Sequence, residues 1–144
     1  MNVELITLIG FGMLTAVVRN NYLSALIYSL FIYAFANELY ILLSATVPLI
    51  TTRNSSFQPE ISFNSLINGS QAAISIIISF GAVIGRVNKT DVFIFCLCGT
   101  FGYTFLQDYL YKKLAILDIG KCLLMNVWGG IYGLTISKII KNRG

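Results

Sequence analysis

Leu23–Val47 reads LSALIYSLFIYAFANELYILLSATV, and Glu38 is the only charge in it. A helix needs about 20 apolar residues to cross a ~30 Å hydrocarbon core, and this stretch exceeds that. The rest of the chain has the same character. Of 144 residues, 56% are apolar and 11% charged, with a mean hydropathy of +0.77. A soluble domain of this length carries roughly 25% charged residues to clothe its wet surface. The composition therefore excludes a soluble single domain, a disordered chain, a collagen and a nucleic-acid-binding domain. The pI near 9.1 rests on a dispersed net charge of +4, which suits the ends of membrane spans better than a phosphate-reading patch.

The fold class expected is thus an all-α integral membrane protein, with the bilayer as its solvent. A transmembrane β-barrel needs short segments that alternate in polarity, and Ala72–Ile78 (AAISIII) does not alternate. With short connections the length allows five spans at most. They are read at about 3–18, 23–47, 66–85, 92–111 and 119–140, in a single membrane domain. The polar stretch Thr51–Asn64 is the one sizeable loop. The first span has no basic region before it and no small-x-small cleavage site after it, so it reads as a retained helix. With the N-terminus outside, the inner side holds Arg19, Arg86, Lys89, Lys138, Lys141 and Arg143, against Arg53, Lys112, Lys113 and Lys121 outside. This bias favours an inner C-terminus. Of three sequons, only Asn54 is placed for glycosylation.

The chain has no histidine, and its three cysteines, Cys96, Cys98 and Cys122, all lie in apolar stretches. Cys96-x-Cys98 is not a metal or redox spacing, and small buried hydrophobes are the expected reading of all three. Without histidine no Ser-His or Cys-His pair exists, the usual general base is missing, and no phosphate loop is present. No enzymatic activity, metal or cofactor is expected, beyond lipid contacts.

Polar groups deep in a span carry functional meaning because burying them is costly. Glu38 in span two and Asp108 in span four are candidate buried polar residues. Asp118 and Lys121, three apart at the start of span five, can share a helix face. Asp118 suits a helix N-cap first and a ligand contact second, while Lys121 can snorkel. Gly81-x-x-x-Gly85 and Gly129-x-x-x-Gly133 have the spacing that lets helices approach closely.

At Leu66-Ile67-Asn68, then Ile78–Arg86 (ISFGAVIGR), Asp118-x-Gly120 and Gly129-x-x-Tyr132-Gly133-Leu134, the sequence resembles the Rhesus branch of the ammonium transporter family. The family pattern runs LIN, FGAVLGK and DAGGSMTIHTFGAYFGL at matching spacing. Gly10–Leu14 (GFGML) resembles the family's GFGFL opening, and Phe35 and Glu38 fall where its second helix has Phe and Gln. The resemblance implies one five-helix half of a core built from two inverted repeats, with a narrow pore between the halves in a trimeric protein. It also implies degenerate pore positions. Asn126 stands where the family has a pore histidine, and Gln71 where it has an outer Phe gate. Gly120-Lys121-Cys122 replaces Gly-Gly-Ser after the cation-recruiting aspartate, Asp118. An Asn amide hydrogen-bonds an amine but does not shuttle a proton as imidazole does. Lys121 would repel ammonium.

The function expected is a non-transporting, Rhesus-like half module, an accessory subunit of a larger membrane complex such as a respiratory-type assembly. Other membrane subunits, or a second copy, would cover the half-pore face. The alternative is a channel for ammonia or another small neutral solute, formed by pairing of two halves. The mitochondrial inner membrane and the plasma or internal membranes fit equally.

Overall fold

No glycine and no run of polar residues interrupts Tyr22–Thr52, and α1 spans that whole range without a break. It continues through Pro48, where the sequence reading ended the span. A mid-helix proline costs about 3 kcal/mol in water, but in a bilayer a broken helix would leave still more backbone groups unpaired. At 1.5 Å per residue, the 31 residues reach about 46 Å, longer than the hydrocarbon core, so one end of α1 projects beyond it. The computed structural model describes residues 22–52, 62–118, 121 and 123–141. The expected first span, the Asn54 sequon and Cys122 lie outside the described residues.

Ser62 and Ser65 cap each other: Ser65 N donates to Ser62 Oγ at 3.3 Å, and Ser62 N to Ser65 Oγ at 2.8 Å. This capping box starts α2 (Phe63–Gly81) three residues before the expected Leu66. Asn88 and Asp91 do the same for α3 (Lys89–Asp108), with Asn88 N donating to Asp91 Oδ2 at 3.4 Å. Its last turn widens into a π-helical turn, Tyr109–Lys113. A second π-turn, Leu123–Val127, leads into α4 (Trp128–Lys141). Every regular element among the described residues is helical, and Leu23–Thr46 and Leu123–Lys141 are long and apolar enough to cross a membrane.

The solvation pattern is that of a membrane protein. Ser70, Ser75, Ser79, Thr100 and Thr104 are buried, whereas Leu23, Ile27, Leu117 and Leu134 are 60% or more exposed. Four of these hydroxyls, those of Ser70, Ser79, Thr100 and Thr104, bond to carbonyls of their own helix, as in Thr100 to Cys96 O and Thr104 to Thr100 O, each 2.8 Å. Such back-bonding lets Ser and Thr enter an apolar interior without an orphaned donor.

Contacts fix an up-down-up-down bundle. Asn37 of α1 lies on Gly69 of α2, and Tyr28 and Ile84 line one groove, so these helices are antiparallel. Tyr40 OH donates to Gln107 Oε1 at 2.9 Å, and the Cys96 thiol lies 3.9 Å from Ile32 O, which makes α1 and α3 parallel. Ser75 and Ser79 of α2 meet Gly129 and Gly133 of α4 in register. The core between α1, α2 and α3 is built from Ile32, Ala36, Ile76, Phe80, Phe95 and Cys96.

Three expectations need correction. Gly85 lies past the end of α2 with φ +79°, and a Cβ there would meet nothing within 4 Å. The Gly81-x-x-x-Gly85 spacing is therefore no helix seam; Gly81 ends the helix, and Gly85 supplies the left-handed turn. Glu38 is exposed. α1 buries Ala25, Ser29, Ile32, Ala36 and Tyr40, and two residues beyond Ala36 the helix has turned to its opposite face. Cys98 is exposed while Cys96 is buried, because only Cys96 falls on the inward stripe of α3.

Candidate functional site

The start of α2, the two π-turns and the connection between them meet at one end of the bundle. π-turns recur at functional sites because they re-aim side chains that a regular helix would point elsewhere. Within the second π-turn Leu124 is buried and Asn126 exposed. Leu124 packs with Tyr40, Ala72 and Tyr103, flanked by Tyr111 and Trp128.

Lys121 and Asp118 occupy the connection between the π-turns. Asp118 Oδ2 accepts from Leu124 N at 3.2 Å, and Asp118 O accepts from Lys121 N at 3.2 Å. The carboxylate thus serves a free N–H at the head of the apolar span, as an N-terminal cap does. Lys121 adopts φ +54°, a left-handed conformation that costs a non-glycine residue roughly 1–2 kcal/mol. Its Nζ donates to Asn68 Oδ1 on α2 and stands 5.9 Å from the centroid of the Tyr111 ring. Lys121 lies just ahead of the apolar span Leu123–Lys141. Desolvation lowers the pKa of its amine, and the Asp118 carboxylate opposes that shift. The ammonium is therefore held by an amide oxygen and a ring face, within the field of the Asp118 carboxylate.

Gln71 lies one turn beyond Asn68 and is half-buried, with Oε1 lacking a hydrogen-bond partner. Asn37 Oδ1, Ser75 Oγ, Tyr103 OH and Tyr111 OH are also buried and unpartnered among the described residues. Asp108 is half-buried at the end of α3. The structure thus joins Asp118 and Lys121 in one site bordered by α2, and leaves Glu38 on the outer surface of α1. Sequence reasoning did not single out Asn68 as the partner of Lys121. The signal available was an amide three residues before Gln71, within the Leu66-Ile67-Asn68 stretch.

A two-sided seam supports this end. A Cβ on Gly129 would stand 2.8 Å from Ser75 O, and one on Gly133 would stand 2.9 Å from Ser79 O. Ser79 Oγ also donates to Gly129 O at 2.9 Å. On its other side α4 meets α3 through aromatic residues. Trp128 Nε1 donates to Gly99 O at 3.3 Å and Tyr132 OH to Phe95 O at 2.8 Å. The two rings stack at 5.7 Å with 9° between their planes.

Comparison with known proteins finds sequence similarity to Rhesus-type proteins. The chain is 24% identical over 139 residues to ammonium transporter Rh type C-like 2 of Danio rerio. It is 26% identical over 147 residues to Rhesus-like glycoprotein A of Dictyostelium discoideum. The chain is Rhesus-like. These matches cover 96% and 99% of the chain, and 28% of each relative. Ammonium transporter Rh type C of Homo sapiens is 23% identical over 142 residues, which are 99% of the chain and 29% of that protein. No protein-family model matches the chain, and no solved structure does. The Rhesus-like chain therefore spans less than a third of the length of these relatives. In it, Asn126 is exposed at the position where the resemblance implies a pore histidine. Lys121 brings a side chain and a charge to a left-handed position where the Rhesus pattern has glycine.

Proposed function

We propose that this Rhesus-like module does not conduct ammonium and acts as a structural, accessory subunit of a larger membrane complex. The contact of Lys121 Nζ with Asn68 Oδ1 carries this reading. A primary ammonium and a free ammonium ion seek the same partners: an oxygen acceptor, an aromatic face and a carboxylate field. Lys121 already takes all three, through Asn68, Tyr111 and Asp118. A second cation arriving there meets a like charge in a poorly screened setting. Asn126 cannot relay a proton in place of a histidine. Leu123, Val127, Ile131 and Leu134 leave an exposed apolar face along the same segment, over which a neighbouring subunit would sit.

The test is reconstitution of the purified full chain in liposomes, with internal pH followed after an ammonium jump. The expected response equals that of empty vesicles. A flux above that level, abolished by Asn126→Leu, would establish the channel reading instead. Purification in mild detergent tests the subunit role. Fixed stoichiometry with other membrane proteins supports it, and recovery only of the chain by itself counts against it.

A further inference from the structure

The connections at the two ends of α3 treat their apolar residues in opposite ways. In the α2–α3 connection, residues 82–88, Val83 is buried and Ile84 and Val87 pack against the core, while Arg86 and Asn88 are exposed. That is how a loop in water behaves. Past the first π-turn the pattern reverses: Leu114 is 52% exposed, Ile116 39% and Leu117 88%. Leu117 is the most exposed large apolar side chain among the described residues. The backbone holds this display in place. Leu114 N donates to Tyr109 O and Ile116 N to Leu110 O, each at 3.3 Å, and Ala115 adopts the left-handed φ of +47°, a strained conformation for alanine.

We propose that Leu114, Ile116 and Leu117 form a lipid anchor, inserted into the headgroup region of the bilayer instead of lying in water between two spans. Position supplies the first argument. The segment joins the end of α3 to the apolar span that begins at Leu123, which sets it at the membrane boundary. Its flank supplies the second. Tyr109, Tyr111, Lys112 and Lys113 precede it directly, and tyrosine and lysine are side chains that settle at headgroup level. Tyr109 and Lys113 are both exposed. Size favours lipid over a neighbouring subunit, because three aliphatic side chains fall well short of the ~800 Å² per partner that a stable protein interface buries. The backbone limits the depth. An irregular segment has N–H and C=O groups that need water, so it stops short of the hydrocarbon core.

Leu117→Trp in the full chain, reconstituted in nanodiscs of brominated phosphatidylcholines, reads this depth, with the wild type and its Trp128 as the baseline. The added fluorescence should be blue-shifted and quenched most by bromines near the carbonyl end of the acyl chain, as insertion by roughly 5–10 Å requires. Acrylamide should quench it weakly. Replacing Leu114 and Ile116 by serine in the same chain should release the tryptophan to water and reverse both results. In the native membrane, a photoreactive benzoylphenylalanine in place of Leu117 should form adducts with phospholipid. Strong quenching by acrylamide overturns the proposal, as does stronger quenching by bromines at the chain ends. So does lipid quenching that survives the two serine substitutions, or an adduct to a neighbouring protein.

Discussion

Ser79 ties Gly129 to its own helix: its hydroxyl is shared between the Gly129 carbonyl at 2.9 Å and Ser75 O of α2 at 3.0 Å. Ser75 O in turn lies 2.8 Å from where a Gly129 side chain would begin. The α2–α4 seam is thus set by backbone atoms, which have no rotamer through which to yield.

Gly129→Ala and Gly133→Ala should each destabilise the bundle by about 1–3 kcal/mol, the range for forcing a methyl into a packed interior. Gly130→Ala is the control. A Cβ there meets nothing within 4 Å, so the variant should gain up to about 1 kcal/mol from helix propensity. Thermal unfolding in detergent, followed by size-exclusion chromatography, reads the order. Equal effects at the three positions would contradict the seam.

Lys121 separates two contributions that a single substitution would confuse. Lys121→Ala and Lys121→Gly both lose the bond to Asn68, but only glycine relieves the left-handed backbone. Lys121→Gly should therefore be more stable than Lys121→Ala by about 1 kcal/mol. Similar melting temperatures for the two variants would mean that the backbone at 121 is not held at positive φ.

Asp118 acts through its oxygen on Leu124 N. Asp118→Ala should cost about 1 kcal/mol, as loss of a helix cap does. Asp118→Asn keeps an oxygen acceptor and should cost less than half of that. Chemical denaturation of the two variants checks the ratio. Equal losses would show that charge, not capping, is what the bundle needs.

A Cβ on Gly102 would lie 2.6 Å from Trp128 Cη2. Gly102→Ala alone should lower stability by about 1–3 kcal/mol. In a Trp128→Leu background the same change should cost little, because the ring it would strike is gone. A double-mutant cycle on melting temperatures measures this coupling, and additive effects would refute the contact.

The sequence made the helical membrane class legible, because Leu23–Thr46 is long and apolar enough to cross a bilayer and only 11% of the whole chain is charged. It also marked Gly129 and Gly133, whose spacing has one common cause in apolar helices. Gly85 has the same spacing from Gly81 but misled, since the end of α2 depends on local backbone geometry that hydropathy does not register. The helix starts were displaced by Ser62 and Asn88, polar residues that read as loop until their capping bonds are seen. Asn68 and Lys121 are 53 positions apart, and only the docking of α4 on α2 brings them together. The π-turns were illegible for a similar reason, since a widened turn is favoured by its neighbours rather than by its own residues.

Trp128 and Tyr132 both donate to carbonyl oxygens of α3, at Gly99 and Phe95. Every residue type carries such an oxygen, so no substitution on α3 can delete either acceptor. The joint between these helices is thereby owned by one partner. Mutational drift along α3 can change how the aromatics fit but not what they hold, whereas one change at Trp128 or Tyr132 removes a fastening outright. On the surfaces that meet at this joint, a search for tolerated variation should find α3 permissive apart from its glycines, and α4 strict at Trp128 and Tyr132 in addition to its seam glycines Gly129 and Gly133.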